Sequence, residues 1–371
     1  MPKGRGPGDV LGPRALNRAL LDRQMLLRRR RMQTLDAVER LVALQAQVPR
    51  DPYGALWTRV DGFRAEALSE AMADRRAVRM TLLRGTLHTV TARDALALRS
   101  LIQPAIQKVV FGSSPLRTLV RAGVNLDEAV EFLQRLLEDS PKTRAELVKA
   151  IAERWPGVDA DSLGYAMYVI PTVQTTPRGL WNRSGASRFT TVEAWLGRPV
   201  DERGDLDALI RRYLTAFGPA TVADAQYWSG LSGLGVAFER MRPSLRTFAD
   251  ENGRELFDVP NVRRPSADTP APVRFLPEYD NVVIGHKDRS RIVGPGTTRW
   301  TDVGWGIVLV DGFTSARWIL KRETGATTLR IEPFRRLTRS ESHEVTDEGD
   351  RLAGFLTDGE GTHDVRIAAP A

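Results

Sequence analysis

One local pattern recurs three times along this chain: helices, then a β-hairpin. In the first stretch, helical periodicity covers Leu16–Leu27, Leu35–Leu44 and Ala65–Ala77, and Arg79–Val90 turns strand-like around Gly85. In the second, Thr143-Arg144-Ala145-Glu146 is a capping box ahead of Leu147, Val148 and Ile151, a further helix covers about Asp161–Val169, and Val173–Val192 reads as a hairpin. In the third, Asp205–Phe217 is helical, Thr221–Asp224 caps a helix through Trp228, and another helix runs from Leu234 to Met241. Leu245–Phe248 and Glu255–Val259 then flank Asn252-Gly253, a hairpin turn. Helix–turn–helix plus hairpin is the outline of a winged helix. After Pro260–Pro272 the pattern becomes β-rich, with strands around Asp311-Gly312, a helix over Asp347–Leu356 and a last strand. The expected fold class is therefore α+β: three tandem winged helix-turn-helix units and a β-rich, barrel-like or sandwich domain. The expected divisions are a disordered basic arm (1–13), winged helix 1 (14–95), a helical connector (96–140), winged helix 2 (141–200), winged helix 3 (201–260) and the β-domain (273–371).

Composition narrows the chemistry. The 371 residues include no Cys and four His without metal-ligand spacing, which removes disulfides, thiolate catalysis and zinc fingers. No stretch is long and apolar enough to span a bilayer and no signal core follows Met1, so a cytoplasmic, non-membrane protein is expected. No phosphate-binding or dinucleotide fingerprint stands at a strand–helix junction, and no cofactor or metal is expected. Residues 1–50 carry eleven Lys or Arg against four acids, nearly all of the chain's net +8. Six of the 54 basic residues are Lys. Arg suits bidentate phosphate contact, and a basic segment favours a polyanion, most simply nucleic acid. A GC-rich genome gives the same bias, and a solvated arm gives the same charge.

The candidate chemistry sits at Gln45-Ala46-Gln47. Residues two apart on a helix point about 200° away from each other, whereas in an extended segment they share a face. Pro49 pushes Val48 out of the helical region, so the helix should end near Leu44–Gln45 and leave both amides on one side of a loop. The bland alternative is that two Gln side chains cap helix carbonyls.

Several blocks resemble the AlkZ-like DNA glycosylases: Leu41–Tyr53, Leu82–His88, Trp228–Leu231, Phe275–Asn281 and His286–Arg291. The resemblance covers nearly the whole chain. It implies three winged helices arranged as a C around duplex DNA, a catalytic Gln-apolar-Gln pair (Gln45 and Gln47), a functional β-hairpin, and unhooking of interstrand crosslinks. The YcaQ-like branch has Gln-x-Asp instead, so Gln47 favours the AlkZ-like branch. Members of that branch often protect producers of DNA-alkylating natural products, and self-resistance is implied here.

Two neutral amides fit such a reaction. A purine alkylated at N7 is cationic, so it departs without a general acid. What remains is to stabilise an oxocarbenium-like sugar and to orient a water, which preorganised amide carbonyls do modestly. Glutamine has no titrating proton and is no strong base. No Lys stands near the pair, which argues for a monofunctional enzyme without a lyase step. Asp51 is the one nearby carboxylate and an accessory candidate. Expected DNA contacts are Arg50, Arg84, His286, Lys287, Arg289 and Arg291, against the simpler readings of a packed His88 and an internal ion pair involving Asp288. Arg28–Arg31 fit phosphate contact or an exposed helix face equally. An open cleft is expected, because a base tethered to both strands resists flipping. A monomer is expected, since three modules suffice to embrace DNA. The competing readings are a non-enzymatic winged-helix regulator, which needs neither the Gln pair nor the β-domain, and a broad YcaQ-type alkylpurine glycosylase.

Overall fold

The computed structural model describes residues 9–294, 303–323 and 326–370. The chain opens with β1 (Val10–Leu11) and α1 (Pro13–Arg23), the latter started by Pro at its first turn, where a missing N–H costs nothing. Next come α2 (Thr34–Arg40), β2 (Leu44–Gln45), α3 (Asp51–Trp57), α4 (Ala65–Ala73) and the antiparallel pair β3 (Ala77–Thr81) and β4 (Leu87–Thr91). Three helices follow: α5 (Ala92–Phe111), α6 (Ser114–Arg121) and α7 (Leu126–Asp139). The second hairpin region contains β5 (Lys142–Thr143), α8 (Arg144–Arg154), α9 (Ala160–Leu163), β6 (Thr172–Gln174), β7 (Arg188–Thr191) and α10 (Val192–Leu196). The expected box is formed at α8: the Thr143 side chain accepts from Glu146 N–H, while the Glu146 carboxylate accepts from Thr143 N–H. The third region contains α11 (Leu206–Phe217), α12 (Val222–Ser229) with its own Thr221/Asp224 box, α13 (Gly235–Met241), β8 (Arg246–Asp250) and β9 (Glu255–Asp258). The remainder is β10 (Arg274–Leu276), α14 (Asn281–Ile284), β11 (Gly306–Val310), β12 (Phe313–Glu323), β13 (Ala326–Pro333), α15 (Arg339–Leu356) and β14 (Thr362–Ile367).

Three sheets tie these elements together. The first two hairpins join through β3 and β6, making one six-stranded sheet in the order β2-β4-β3-β6-β7-β5. One apolar cluster runs from Leu20 and Val42 through α5, α11 and α12 to Leu276 and Leu309. Trp228, Phe217 and Tyr213 form its aromatic centre, with ring centroids 4.9–5.7 Å apart.

Several expectations change. The segment expected as part of a disordered arm is ordered from Asp9: β1 lies parallel to β8, Val10 opposite Ala249. Residues 1–8 lie outside the described residues. The helix expected over Leu35–Leu44 stops at Arg40, and Val42 takes φ 69°, a left-handed value rare for a β-branched residue, so the chain turns and runs extended. Arg28–Arg31 are not helical: Arg30 bridges Val60 and pairs with Asp22, while Arg29 pairs with Glu348. The C-terminal region is not barrel-like. Among the described residues it is one open sheet, β10-β11-β12-β13-β14, with α15 packed against it over Val345, Leu352 and Leu356.

Candidate active site

Gln45 ends β2, which pairs with β4, and the chain bends at Gln47. Gln45 lies opposite His88, and Ala46 N–H donates to Leu87 O at 2.8 Å. Ala46 is buried, and the bend at Gln47 means that strand alternation does not set the two amides on one side. Gln45 is 7% exposed, whereas Gln47 is open to solvent. Arg79 of β3 fixes the backbone of the motif: its Nε donates to Ala46 O at 2.8 Å and its Nη2 to Gln47 O at 3.1 Å. Its Nη1 reaches the Gln174 amide oxygen of β6, so the strand carrying the motif is braced from the neighbouring hairpin. Burial lowers the Arg79 pKa to about 10.

The Gln45 side chain is oriented by Arg84. Arg84 sits at φ 56° in a tight 3-10 turn, Leu83–Gly85, between β3 and β4. Its Nη2 donates to Gln45 Oε1 at 3.2 Å and to Asn281 Oδ1 at 3.3 Å, and its Nη1 donates to Trp228 O at 2.7 Å. The Thr86 hydroxyl lies 3.4 Å from the same Gln45 oxygen, its one proton shared with Leu83 O. A guanidinium only donates, so the oxygen end of the Gln45 amide must face inward and Nε2 is left as the end open to a ligand. The Gln45 carbonyl thus accepts from Arg84 within the protein. Asn281 is held in turn by Nδ2 donating to Ala43 O at 2.7 Å.

This geometry explains what several of the quoted sequence blocks do. Gly230 ends α12 at φ 80°, a left-handed value that favours glycine, and lies against the Arg84 turn. Trp228 supplies the carbonyl, and Asn281 the third acceptor. Asn281 and Thr86 lie inside the blocks, yet neither was singled out as a site residue. Arg79 gave no signal of its own, since one arginine in a strand looks like any other.

The other expected residues separate. Arg50 is half-buried, bonded to the Asn182 side chain, with its guanidinium 5.3 Å from the Trp181 ring centre. His88 is fully buried; its Nδ1 donates to Thr86 O at 2.9 Å, and burial drives its pKa down to about 3, so it is neutral. His286 is also buried. It donates from Nε2 to Phe217 O at 3.0 Å and is likewise pushed to about 3, chiefly by burial and then by Arg291. Arg291 is enclosed, donating to Pro219 O at 2.6 Å and lying 3.9 Å from Asp224. Arg289 lies 5.3 Å from the Tyr227 ring centre and bonds its hydroxyl. Only Lys287 of this cluster is exposed. The expectation of DNA contact is therefore corrected for His286 and Arg291: they brace the segment after α14 against α11 and α12. Asp288 pairs with Arg254 rather than with its own neighbours.

Asp51 starts α3 with Oδ2 enclosed and without a hydrogen-bond partner among the described residues. Burial, then the nearby Glu278 and Asp280 carboxylates, push its pKa to about 8. At neutral pH it is therefore mostly protonated. The cavity behind Gln45 and Asn281 has a volume of about 10 Å³, room for one water and not for a nucleobase.

The family model for AlkZ-like DNA glycosylases matches residues 38–355. The chain belongs to the AlkZ-like DNA glycosylase family. That span contains the Gln motif, the Arg84 turn, Trp228–Gly230 and Asn281, so every group that holds Gln45 lies inside the family match. Among solved structures, the Streptomyces sahachiroi DNA glycosylase AlkZ is similar over 97% of this chain and 100% of that one, with a TM-score of 0.69 and 21% identity. This likeness shows a shared mixed α+β fold. A search of curated proteins gives no match. As an AlkZ-like family member the chain is a DNA glycosylase, a hydrolase of DNA repair whose substrate is DNA. Among the described residues no helix is long and apolar enough to cross a membrane.

Proposed function

We propose that this glycosylase is monofunctional and hydrolyses the N-glycosidic bond of cationic N7-alkylpurines, including bulky adducts and interstrand crosslinks, and that it protects its host from a DNA-alkylating toxin. In this reading the three hairpin-bearing regions (14–95, 141–200 and 201–260) act as winged helices that curve around duplex DNA, and one copy suffices. The observation that carries it is the amide pair at Gln45 and Gln47, with Gln45 oriented by Arg84. A lesion whose leaving group is already charged needs no acid and little base. Gln45 Nε2 donates to the attacking water, and exposed Gln47 accepts from it, so that a water lone pair lines up with the anomeric carbon. The single-water cavity at Gln45 favours an open site in which the base stays outside the protein.

The test is incubation of the protein with duplexes carrying N7-methylguanine, an N7-linked crosslink or uracil, reading free base and abasic strand. Release from both cationic substrates with almost none from uracil is expected. Robust uracil release overturns the reading. Binding to undamaged promoter DNA with no release of any base selects the regulator instead, and loss of crosslink unhooking alone selects the broad alkylpurine enzyme.

A further inference from the structure

An open cleft of about 900 Å³ begins at Pro49 and Arg50, just past Gln47. It is walled by residues from three distant parts of the chain: Pro49–Arg50, the turn at 180–184 between β6 and β7, and the ends of β12, β13 and β14 with the turn after α15. Arg50, Arg183 and Arg322 line it. The side chains that shape the wall are internally satisfied. Asp358 accepts from Trp181 Nε1 at 2.7 Å and from the Asn182 amide, and Asn182 in turn bonds Arg50, which lies over Trp181. Asp358 is thus spent on holding the Trp–Asn wall. The cleft's other acid, Glu360, is exposed.

The three guanidiniums outnumber the two acids that line the cleft, Asp358 and Glu360. Among the described residues none of them has a carboxylate within ion-pair distance, and Arg322 meets only the Leu356 carbonyl, at 3.0 Å. Burial lowers the Arg50 pKa, repulsion from Arg322 adds to that, and Asp358 opposes both in part. Three arginines against two acids leave the cleft with an excess of positive charge, which favours an anion. Planar, multiply donating arginines suit a phosphate oxygen. We infer that this cleft is a backbone subsite, in which Arg50, Arg183 and Arg322 hold the phosphodiesters flanking the damaged nucleotide and so fix the strand against Gln47. The inference rests on the DNA glycosylase reading only for the identity of the anion. It gives the C-terminal sheet, through Arg322, a direct part in positioning DNA.

The experiment measures the binding of Arg183→Gln, Arg322→Gln and the double variant to undamaged and N7-methylguanine duplexes across a salt series. Dissociation constants should rise roughly five- to tenfold per arginine, equally on both duplexes, and the slope of log affinity against log salt should fall by roughly 0.9 per arginine. Arg322→Lys, which keeps the charge, should keep the slope. Arg135→Gln, exposed on α7, is the control and should change nothing. Thermal unfolding of each variant checks that it is folded. Unchanged affinity and slope in the folded double variant overturns the subsite. A loss confined to the damaged duplex also overturns it, because it assigns the cleft to the adduct. Base release by the unaltered protein is scored separately. If no base is released while the arginine dependence on undamaged duplex persists, the glycosylase chemistry fails and the subsite stands. Release with unchanged slopes is the reverse.

Discussion

Arg84 is the residue on which the candidate site turns. It is half-buried, its pKa is lowered to about 10 by desolvation, and it donates to neutral oxygens of Gln45, Asn281 and the Trp228 backbone. Removing it frees the Gln45 amide to rotate and strands three acceptors. Gln45→Ala and Arg84→Met should each lower the single-turnover rate of base release by about ten- to a hundredfold while DNA binding survives. The double variant should be little worse than either, because both remove one oriented N–H. Full multiplication of the two losses would show that Arg84 acts on DNA directly. Parallel loss of binding in Gln45→Ala would return the motif to a capping role. Asp51 yields a prediction about stability. Its folded pKa, about 8, lies above the ordinary value of 3.8. The folded protein therefore keeps a proton that the unfolded chain gives up. That contribution is full below about pH 4 and is lost as pH rises to about 8. Asp51→Asn should remove the slope, so its melting temperature should gain on the parent between pH 4 and 8 and run level beyond. A constant difference across that window would mean that Asp51 is ionised in the folded protein.

At the scale of elements, α3 and the loop before α14 are locked together. Arg59, just past α3, donates twice to Asp280, at 2.7 and 2.8 Å, with both side chains about 2% exposed. Asp280 also caps α14 by accepting from Val282 N–H, which sets Asn281 in place for Arg84. Asp280→Ala leaves a buried guanidinium unpaired and should cost about 3–5 kcal/mol in denaturant unfolding. The paired change Arg59→Met with Asp280→Leu should recover part of that stability without recovering activity, because the cap on α14 is gone. Elements with strong local chemistry were legible in the sequence. The Asn252-Gly253 and Asp311-Gly312 turns and the Thr143 and Thr221 boxes specify their geometry within a few residues. Elements decided by distant contacts were not. Short α3 carries Pro52 and Gly54 in seven residues, β1 owes its two pairs to β8, and the first turns of α15 are too polar to show periodicity. The Thr338/Glu341 box that starts α15 was readable in principle. The left-handed Val42 was not, since nothing local asks a valine to adopt it.

For the whole molecule, the position of the motif was legible and its wiring was not. Gln45 and Gln47 stood out as amides where a base is usual, but which end of Gln45 faces outward depends on residues 39, 183 and 236 positions away. The basic stretch 286–291 looked like a surface, because sequence shows charge without showing that Asp224 lies beneath it. The strand that carries Gln45 answers to the first hairpin through Arg84, to the third region through Trp228 and to the C-terminal region through Asn281. No fragment of the gene that omits one of those regions can encode a working remnant, and swapping a region between relatives will succeed only where the incoming piece restores its own anchor for that one arginine.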